Sequence, residues 1–277
     1  MENNTNVSPL TPNQLWQLCQ TVQQIAKEAG AFIRSEAGKV AAADIQLKYH
    51  NNLVSYVDTT SEKMLIGALQ PLLPDAGFIA EENTIARNDN QPWQWIIDPL
   101  DGTTNFLYNL PSYAVSIALA YKNQPVLGVV YEVNRSECFW AVKGGGAFLN
   151  QQPISVSNTA TLPDALIGTG FPYYDFAVVD KYLPILQTLM KQTKGIRRFG
   201  AAAVDLCYVA CGRFDAFFEH SLLPWDVAAG SLIVQEAGGK VSDFSGKRHY
   251  LFGKEIIASA PGLFESVLPL FEQWHKG

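Results

Sequence analysis

Apolar residues recur at three- and four-residue steps over 15–33, the period of one helix face. Thr11 and Pro12 precede the run as N-cap and first-turn residues, and Gly38 lies past its end, so the pattern predicts a long amphipathic opening helix. A second helix is expected over 61–73, stopped by Pro71 and Pro74. Residues 77–80 and 93–97 then read as short apolar strands, and each runs into acid: Glu81 and Glu82 after the first, Asp98 after the second. The β-rich stretches 114–131, 138–142 and 147–149 are separated by Asn, Gly and Pro, which predicts an antiparallel meander. Gly144 to Gly146 belong to a hairpin turn in this reading and not to a phosphate loop, since no helix start follows them.

Beyond 153–163 the rhythm changes. Short strands at 166–169, 214–218 and 256–258 alternate with helical stretches at 178–191, 202–209, 227–236 and 263–274, the order of a second α/β unit. The expectation is an α+β chain of two units, 1–152 and 153–277, packed rigidly because neither a repeat nor a low-complexity linker divides them.

With 277 residues, 48% of them hydrophobic, the chain can bury a substantial core and is not a disordered one. Residues 1–10 carry no charge except Glu2 and lack the basic and apolar regions of a secretory signal peptide. Charged residues or prolines break every apolar run before it reaches membrane-spanning length, so a cytoplasmic location without a membrane partner is expected. Cys19, Cys138, Cys207 and Cys211 lack zinc-type pairing and read as reduced core residues. The net charge of -6 argues against a broad nucleic-acid surface, and the basic group Lys194, Arg197, Arg198 reads as a solvated face beside a strand.

The chemistry concentrates in Asp98-Pro99-Leu100-Asp101-Gly102-Thr103-Thr104-Asn105-Phe106. Two carboxylates and two hydroxyls crowd what reads as a turn, where Pro99 fixes one backbone angle and Gly102 permits another, so the acids can converge on a hard cation. Magnesium takes oxygen ligands, few of them protein carboxylates, and completes its shell with water and phosphate. Asp226, in Trp225-Asp226-Val227-Ala228, stands at a helix start, beside a dipole that favours a carboxylate. Of the adjacent acids Glu81 and Glu82 only one can readily face the metals, and Glu82 is expected to support the turn.

In these segments, in Asp58 within Val57-Asp58-Thr59-Thr60, in 200–219 and in Glu236-Ala237-Gly238-Gly239, nearly the whole chain resembles the inositol monophosphatase family of magnesium-dependent, lithium-sensitive phosphatases. The resemblance implies a layered α/β/α/β/α sandwich of the inositol monophosphatase and fructose bisphosphatase type, and a homodimer. It implies two Mg2+ ions, or three with a weakly held one: Glu81, Asp98 and the Leu100 carbonyl on one, Asp98, Asp101 and Asp226 on a second. It makes water the nucleophile, partnered by Thr103, which Asp58 orients, with Glu81 nearby as acceptor. Backbone amides from Gly102 onward would hold phosphate, Glu219 would bond the alcohol, and Gly200 and Ala202 would line its pocket with Lys48 near by.

The expected activity is hydrolysis of a small phosphate monoester, inositol monophosphate first, with histidinol phosphate, fructose bisphosphate and adenosine bisphosphate as alternatives. An aspartyl-phosphate enzyme is disfavoured because two residues, Pro99 and Leu100, separate Asp98 from Asp101 where that chemistry places one. A protein that only binds a metal or a polyol phosphate is the rival from another class. His50, His220, His249 and His275 do not cluster, and His220 is expected at the surface or behind the site.

Overall fold

Helix α1 (Pro12–Glu36) opens the chain with a reciprocal cap between Thr11 and Gln14. A hairpin, β1 (Gln46–Tyr49) with β2 (Asn52–Val54), leads into α2 (Tyr56–Leu69). The structure is a computed structural model that describes residues 9–49, 52–88, 91–172 and 176–275. Helix α2 starts at Tyr56 and not at 61. Ser55 caps it, and the Asp58 carboxylate accepts the Ser55 backbone N–H at 2.8 Å, so polar caps and not the apolar period set its beginning.

The larger sheet begins with β3 (Gly77–Ala80) and β4 (Trp93–Asp101). After the short α3 (Thr103–Leu107) it continues through β5 (Ala114–Tyr121), β6 (Gln124–Glu132), β7 (Glu137–Val142), β8 (Ala147–Leu149) and β9 (Gln152–Ile154). Its spatial order is the chain order, β3 pairing parallel with β4 and every later neighbour antiparallel, which is the expected meander.

The chain continues with β10 (Leu166–Thr169), α4 (Val179–Gln192), β11 (Gly195–Arg197), α5 (Ala202–Ala210) and β12 (Ala216–His220). Then come α6 (Pro224–Glu236), β13 (Lys240–Ser242), β14 (Glu255–Ser259) and α7 (Pro261–Val267). These strands form a five-stranded sheet in the order β11-β10-β12-β14-β13, parallel across the first three and antiparallel at β14. Strands β9, β11 and β13, three residues each, are too short to leave a period in the sequence. The helix expected over 263–274 ends at Val267 and tightens into a 3-10 turn, Leu268–Phe271, at Pro269, whose missing N–H ends the α ladder.

Alternation along the strands builds the layers. Trp95 and Ile97 bury against Val22, Ile33 and Leu65 of α1 and α2, while Ile96 between them faces the opposite side. There it joins Val204 of α5, Leu232 of α6, and Phe217 and Ile256 of the second sheet in one core. Phe218 and Ile257 turn the other way, onto Tyr182 of α4 and Leu263 of α7. The order is therefore helices, sheet, helices, sheet, helices, as expected.

The middle layer is packed backbone to backbone. A Cβ on Gly128 of β6 would lie 2.8 Å from the Ala229 carbonyl oxygen, and one on Gly230 would lie 2.7 Å from Leu206 Cβ. Glycine at these two positions lets α6 lie against β6 on one side and α5 on the other. The Ser116 hydroxyl adds a 3.2 Å hydrogen bond to the Trp225 carbonyl, tethering the start of α6 to β5.

Candidate functional site

Strand β4 pairs with β5 in register as far as Asp98 opposite Ser116, and then slips so that Asp101 faces Ala114. Three steps on one strand match two on the other, a bulge. In a regular strand, residues three apart point to opposite faces. The bulge removes that conflict and puts the carboxylates of Asp98 and Asp101 together, 2% and 8% exposed. The turn expected at 98–106 is thus a bulged strand end followed by Gly102 and α3. Gly102 has φ 89°, and a Cβ there would sit 2.8 Å from the Ser112 carbonyl oxygen and 3.2 Å from Ala201 Cβ.

Asp226, third residue of α6, comes to the same point. Its Oδ2 accepts the Leu223 N–H at 2.6 Å, and one oxygen from each of Asp98, Asp101 and Asp226 lies within 4.8 Å of the others. Asp101 also caps α5, accepting the Ala203 N–H at 2.8 Å, while Asp98 accepts the Leu100 N–H at 2.9 Å. Glu81 extends the β3–β4 pairing with a 3.3 Å bond from its N–H to the Ile97 carbonyl and lines the same cavity. Glu82 does not line it; its backbone N–H donates to Glu62 at 2.7 Å.

Burial and mutual repulsion raise Asp98, Asp101 and Asp226 together. Burial is the main cause for Asp98, with Glu81, Asp101 and Asp226 adding to it. Burial lifts Asp101 to about 7, opposed by the amides of Ala203 and Ala202. Asp226 rises through burial and then through Asp101 and Glu81. Carboxylates crowded this way are destabilised as anions and gain from a cation between them; oxygen donors on a rigid strand end and helix start suit a hard divalent ion.

Asp58 lies behind this group. Thr103 Oγ1 is 2.8 Å from Asp58 Oδ1 and 3.0 Å from the Leu100 carbonyl oxygen, two acceptors for one hydrogen. Asp58 Oδ2 accepts from the Ser55 N–H at 2.8 Å and the Ser55 hydroxyl at 2.7 Å. Burial raises the Asp58 carboxyl, while its bonds from Ser55 and Thr103 pull it back down. One turn on, the Ser61 hydroxyl donates to the Pro99 carbonyl at 3.0 Å, and buried Glu62 accepts from the Glu82 and Thr84 amides at 2.7 Å each. Sequence reasoning missed Ser61 and Glu62, although polar residues at steps of three and four from Asp58 mark one helix face.

A cavity of about 540 Å³ gathers Glu81, Asp98, Leu100, Asp101, Gly102, Thr103, Gly200, Ala202, Glu219 and Asp226, while Asp58 reaches it through Thr103. Burial pushes Glu219, at the end of β12, up to about 8; the Arg198 charge opposes this and Asp101 adds to it. Its carboxyl packs on Gly170, where a Cβ would lie 1.9 Å from the Glu219 carboxyl carbon. Gly170 left no sign in the sequence, since the contact joins β12 to the loop after β10. Arg198 corrects the expectation of a merely solvated face: it lines the cavity, with its guanidinium 6.0 Å from the Phe171 ring centre. His220 also lines the cavity, its Nδ1 2.8 Å from the Ser221 hydroxyl and its ring 5.2 Å from that of Trp274. The Lys48 side chain and His50 lie outside the described residues.

The cysteines are free thiols, and burial pushes Cys19 and Cys138 up to about 12, which makes them inert. No helix among the described residues is long and apolar enough to cross a membrane.

The profile of the inositol monophosphatase family matches residues 15–276. A putative Nus factor SuhB from Neisseria meningitidis serogroup B is 45% identical over 250 residues, covering 90% of this chain and 96% of that one. An inositol-1-monophosphatase from Mesorhizobium japonicum is 39% identical over 241 residues, covering 87% and 91%. Among solved structures, the extragenic suppressor protein suhB of Bartonella henselae superposes with a TM-score of 0.88 at 38% identity, covering 93% of this chain and 99% of that one. An IMPase from Thermotoga maritima reaches 0.84 at 32%, covering 93% and 97%. With the layered fold and the acid cluster in one cavity, these matches make the chain a member of the inositol monophosphatase family.

Proposed function

We propose that this protein releases inorganic phosphate from a small phosphate monoester with the help of magnesium, and that inositol monophosphate is its first candidate substrate. The observation that carries the reading is the convergence of Asp98, Asp101 and Asp226 at one end of a cavity that also holds Thr103 and Glu219. The unit 1–152 supplies Glu81, Asp98, the Leu100 carbonyl and Asp101; the unit 153–277 supplies Asp226 and the alcohol pocket.

Glu81, Asp98 and the Leu100 carbonyl would hold one Mg2+, and Asp98, Asp101 and Asp226 a second. Bound magnesium supplies charge for the phosphate oxygens and makes a nearby water more acidic. The chain does the rest. Thr103, its own hydrogen directed to Asp58, accepts a hydrogen bond from the attacking water and orients it, and Glu81 accepts the proton that this water loses. The ester P–O bond breaks as the water oxygen joins phosphorus, and the departing alcohol oxygen takes a proton from solvent. Amides from Gly102 to Thr104 hold phosphate oxygens, Glu219 accepts from hydroxyls of the alcohol, and backbone at Gly200 and Ala202 walls the pocket.

A panel of inositol monophosphate, histidinol phosphate, fructose bisphosphate and adenosine bisphosphate, assayed with and without magnesium, tests the reading. Release that is strongest from inositol monophosphate, needs magnesium and is inhibited by lithium supports it. Silence on all four hands the site to a non-catalytic binding role, and phosphate trapped on Asp98 replaces water with an aspartyl nucleophile. A homodimer is part of the same proposal and is read by light scattering.

The name Nus factor, borne by a relative 41% identical and as a putative one by a relative 45% identical, favours a second role beside hydrolysis and leaves the expectation that nucleic acid is no partner untested. Retention of that role in an Asp101→Asn variant would separate the two.

A further inference from the structure

A second cavity, of about 700 Å³, lies at the other end of α6 and shares no lining residue with the first. Asp226 is the third residue of that helix and Gln235 and Glu236 are its last two, so the cavities sit about 14 Å apart along the helix at 1.5 Å per residue. Its walls come from separate parts of the chain: Lys122 from the β5–β6 turn, Lys143 from the loop after β7, Lys240 from β13 and Arg248 from the loop before β14.

The charge there runs against the molecule as a whole. The chain carries -6, yet this cavity is lined by four cations and one acid, Glu236. Glu236 is already engaged, accepting the Gly144 and Gly146 N–H groups at 2.8 and 3.0 Å. Lys240 is paired with Glu265 at 2.8 Å. Lys122, Lys143 and Arg248 meet no carboxylate within ion-pair distance among the described residues; Lys143 donates to the Gln124 side chain at 3.2 Å, and Lys122 lies over the Tyr121 ring. The neighbouring Gln235 donates to the Tyr250 hydroxyl at 2.8 Å, so a polar wall accompanies the cations.

We propose that this cavity binds a short oligophosphate, a chain of about three phosphates, free or carried on a nucleoside. Three unneutralised cations from three segments fit several linked charges better than one phosphate, and the polar lining does not suit an apolar ligand. The volume is that of a small-molecule site, and a long nucleic acid would need a continuous basic track longer than these four cations. The site is independent of the phosphatase reading.

Calorimetric titration with inorganic tripolyphosphate in EDTA at low ionic strength tests it, because acids without magnesium repel anions from the first cavity. The expected result is saturable binding that weakens with salt and falls at least about tenfold in the triple variant Lys122→Gln, Lys143→Gln, Arg248→Gln. That variant keeps the parent's unfolding midpoint and its magnesium-dependent phosphate release; should it fail to fold, the single reversal Arg248→Glu carries the same prediction. ATP binding as well as tripolyphosphate supports the free chain as ligand, and tighter ATP binding supports the nucleoside-borne one. Undiminished binding in the folded variant, no binding at millimolar tripolyphosphate, or tighter binding of a single-stranded RNA oligomer through the same residues overturns the proposal.

Discussion

Thr103 and Asp58 stand 45 residues apart in the chain and 2.8 Å apart in the fold, joined by a hydrogen bond between the first residue of α3 and the first turn of α2. The bond sets which way the Thr103 hydroxyl presents its lone pairs to the cavity. Asp58 is itself fixed by two bonds from Ser55, so the helix cap and the orientation of Thr103 are one piece of structure.

Thr103→Ala is expected to lower kcat by about 10²- to 10⁴-fold, the usual contribution of a positioned proton-transfer partner, with KM little changed; Thr103→Ser recovers most of it. Steady-state kinetics decide this. Asp58→Asn is expected to lower kcat as well and, because Asp58 caps α2, to cost about 1 kcal/mol of stability by urea unfolding.

Chelation of magnesium is expected to abolish turnover reversibly and to lower the unfolding temperature, since a ligand present at 100 times its Kd stabilises by about 2.7 kcal/mol. In Asp101→Asn turnover is expected to vanish and the magnesium-dependent rise in unfolding temperature to shrink, since the set of Glu81, Asp98 and the Leu100 carbonyl remains, while far-ultraviolet circular dichroism is unchanged. Retained activity would remove Asp101 from the ligand set.

If Glu219 accepts from the alcohol as proposed, substrate binding is expected to depend on pH. Burial raises Glu219 to about 8, so its carboxylate, the form that accepts hydroxyl hydrogens, fills as pH rises towards and past that value. KM for a polyol phosphate is expected to fall from pH 7 to pH 9 at saturating magnesium, and Glu219→Gln to flatten that profile.

Gly170→Ala places a methyl group where the Glu219 carboxyl now lies. KM is expected to rise about tenfold, a loss near 1.4 kcal/mol, while magnesium affinity stays that of the parent. A matching loss of metal affinity would show that the substitution disturbs more than the alcohol pocket.

Asp205 on α5 is 1% exposed, and neither of its side-chain oxygens has a hydrogen-bond partner among the described residues. Burial, then Glu219 and Asp101, raise it well above its ordinary range. The folded chain therefore keeps a proton that the unfolded chain releases, and stability from this group falls as pH climbs above about 4. Asp205→Asn is expected to be more stable than the parent at pH 8 and nearly equal at pH 4, measured by urea unfolding with magnesium present.

The fold was legible wherever burial imposes a period. Long strands such as β5 and β6 and the amphipathic α1 stand out in the sequence, while β11 and β13 are too short to do so. The acid residues were legible because their types and neighbours are unusual together. What the sequence hid depends on contacts between segments: the bulge that aligns Asp98 with Asp101, the grip of Glu62 on the Glu82 and Thr84 amides, the seat of Glu219 on Gly170, and the place of Arg198 in the cavity wall. Each follows from how two distant pieces of backbone meet, and a linear pattern carries no record of that.

The seam at Gly128 and Ala229 has a consequence for how the protein is made. Asp226 reaches Asp98 and Asp101 only when α6 has settled against β6, yet it follows Asp101 by 125 positions, the difference of their numbers. A chain emerging from the ribosome exposes its first acids well before the last one exists, and the acid cluster closes only once the inner helices are seated. The proposed activity is thus expected late in synthesis, as a certificate that both sheets have docked.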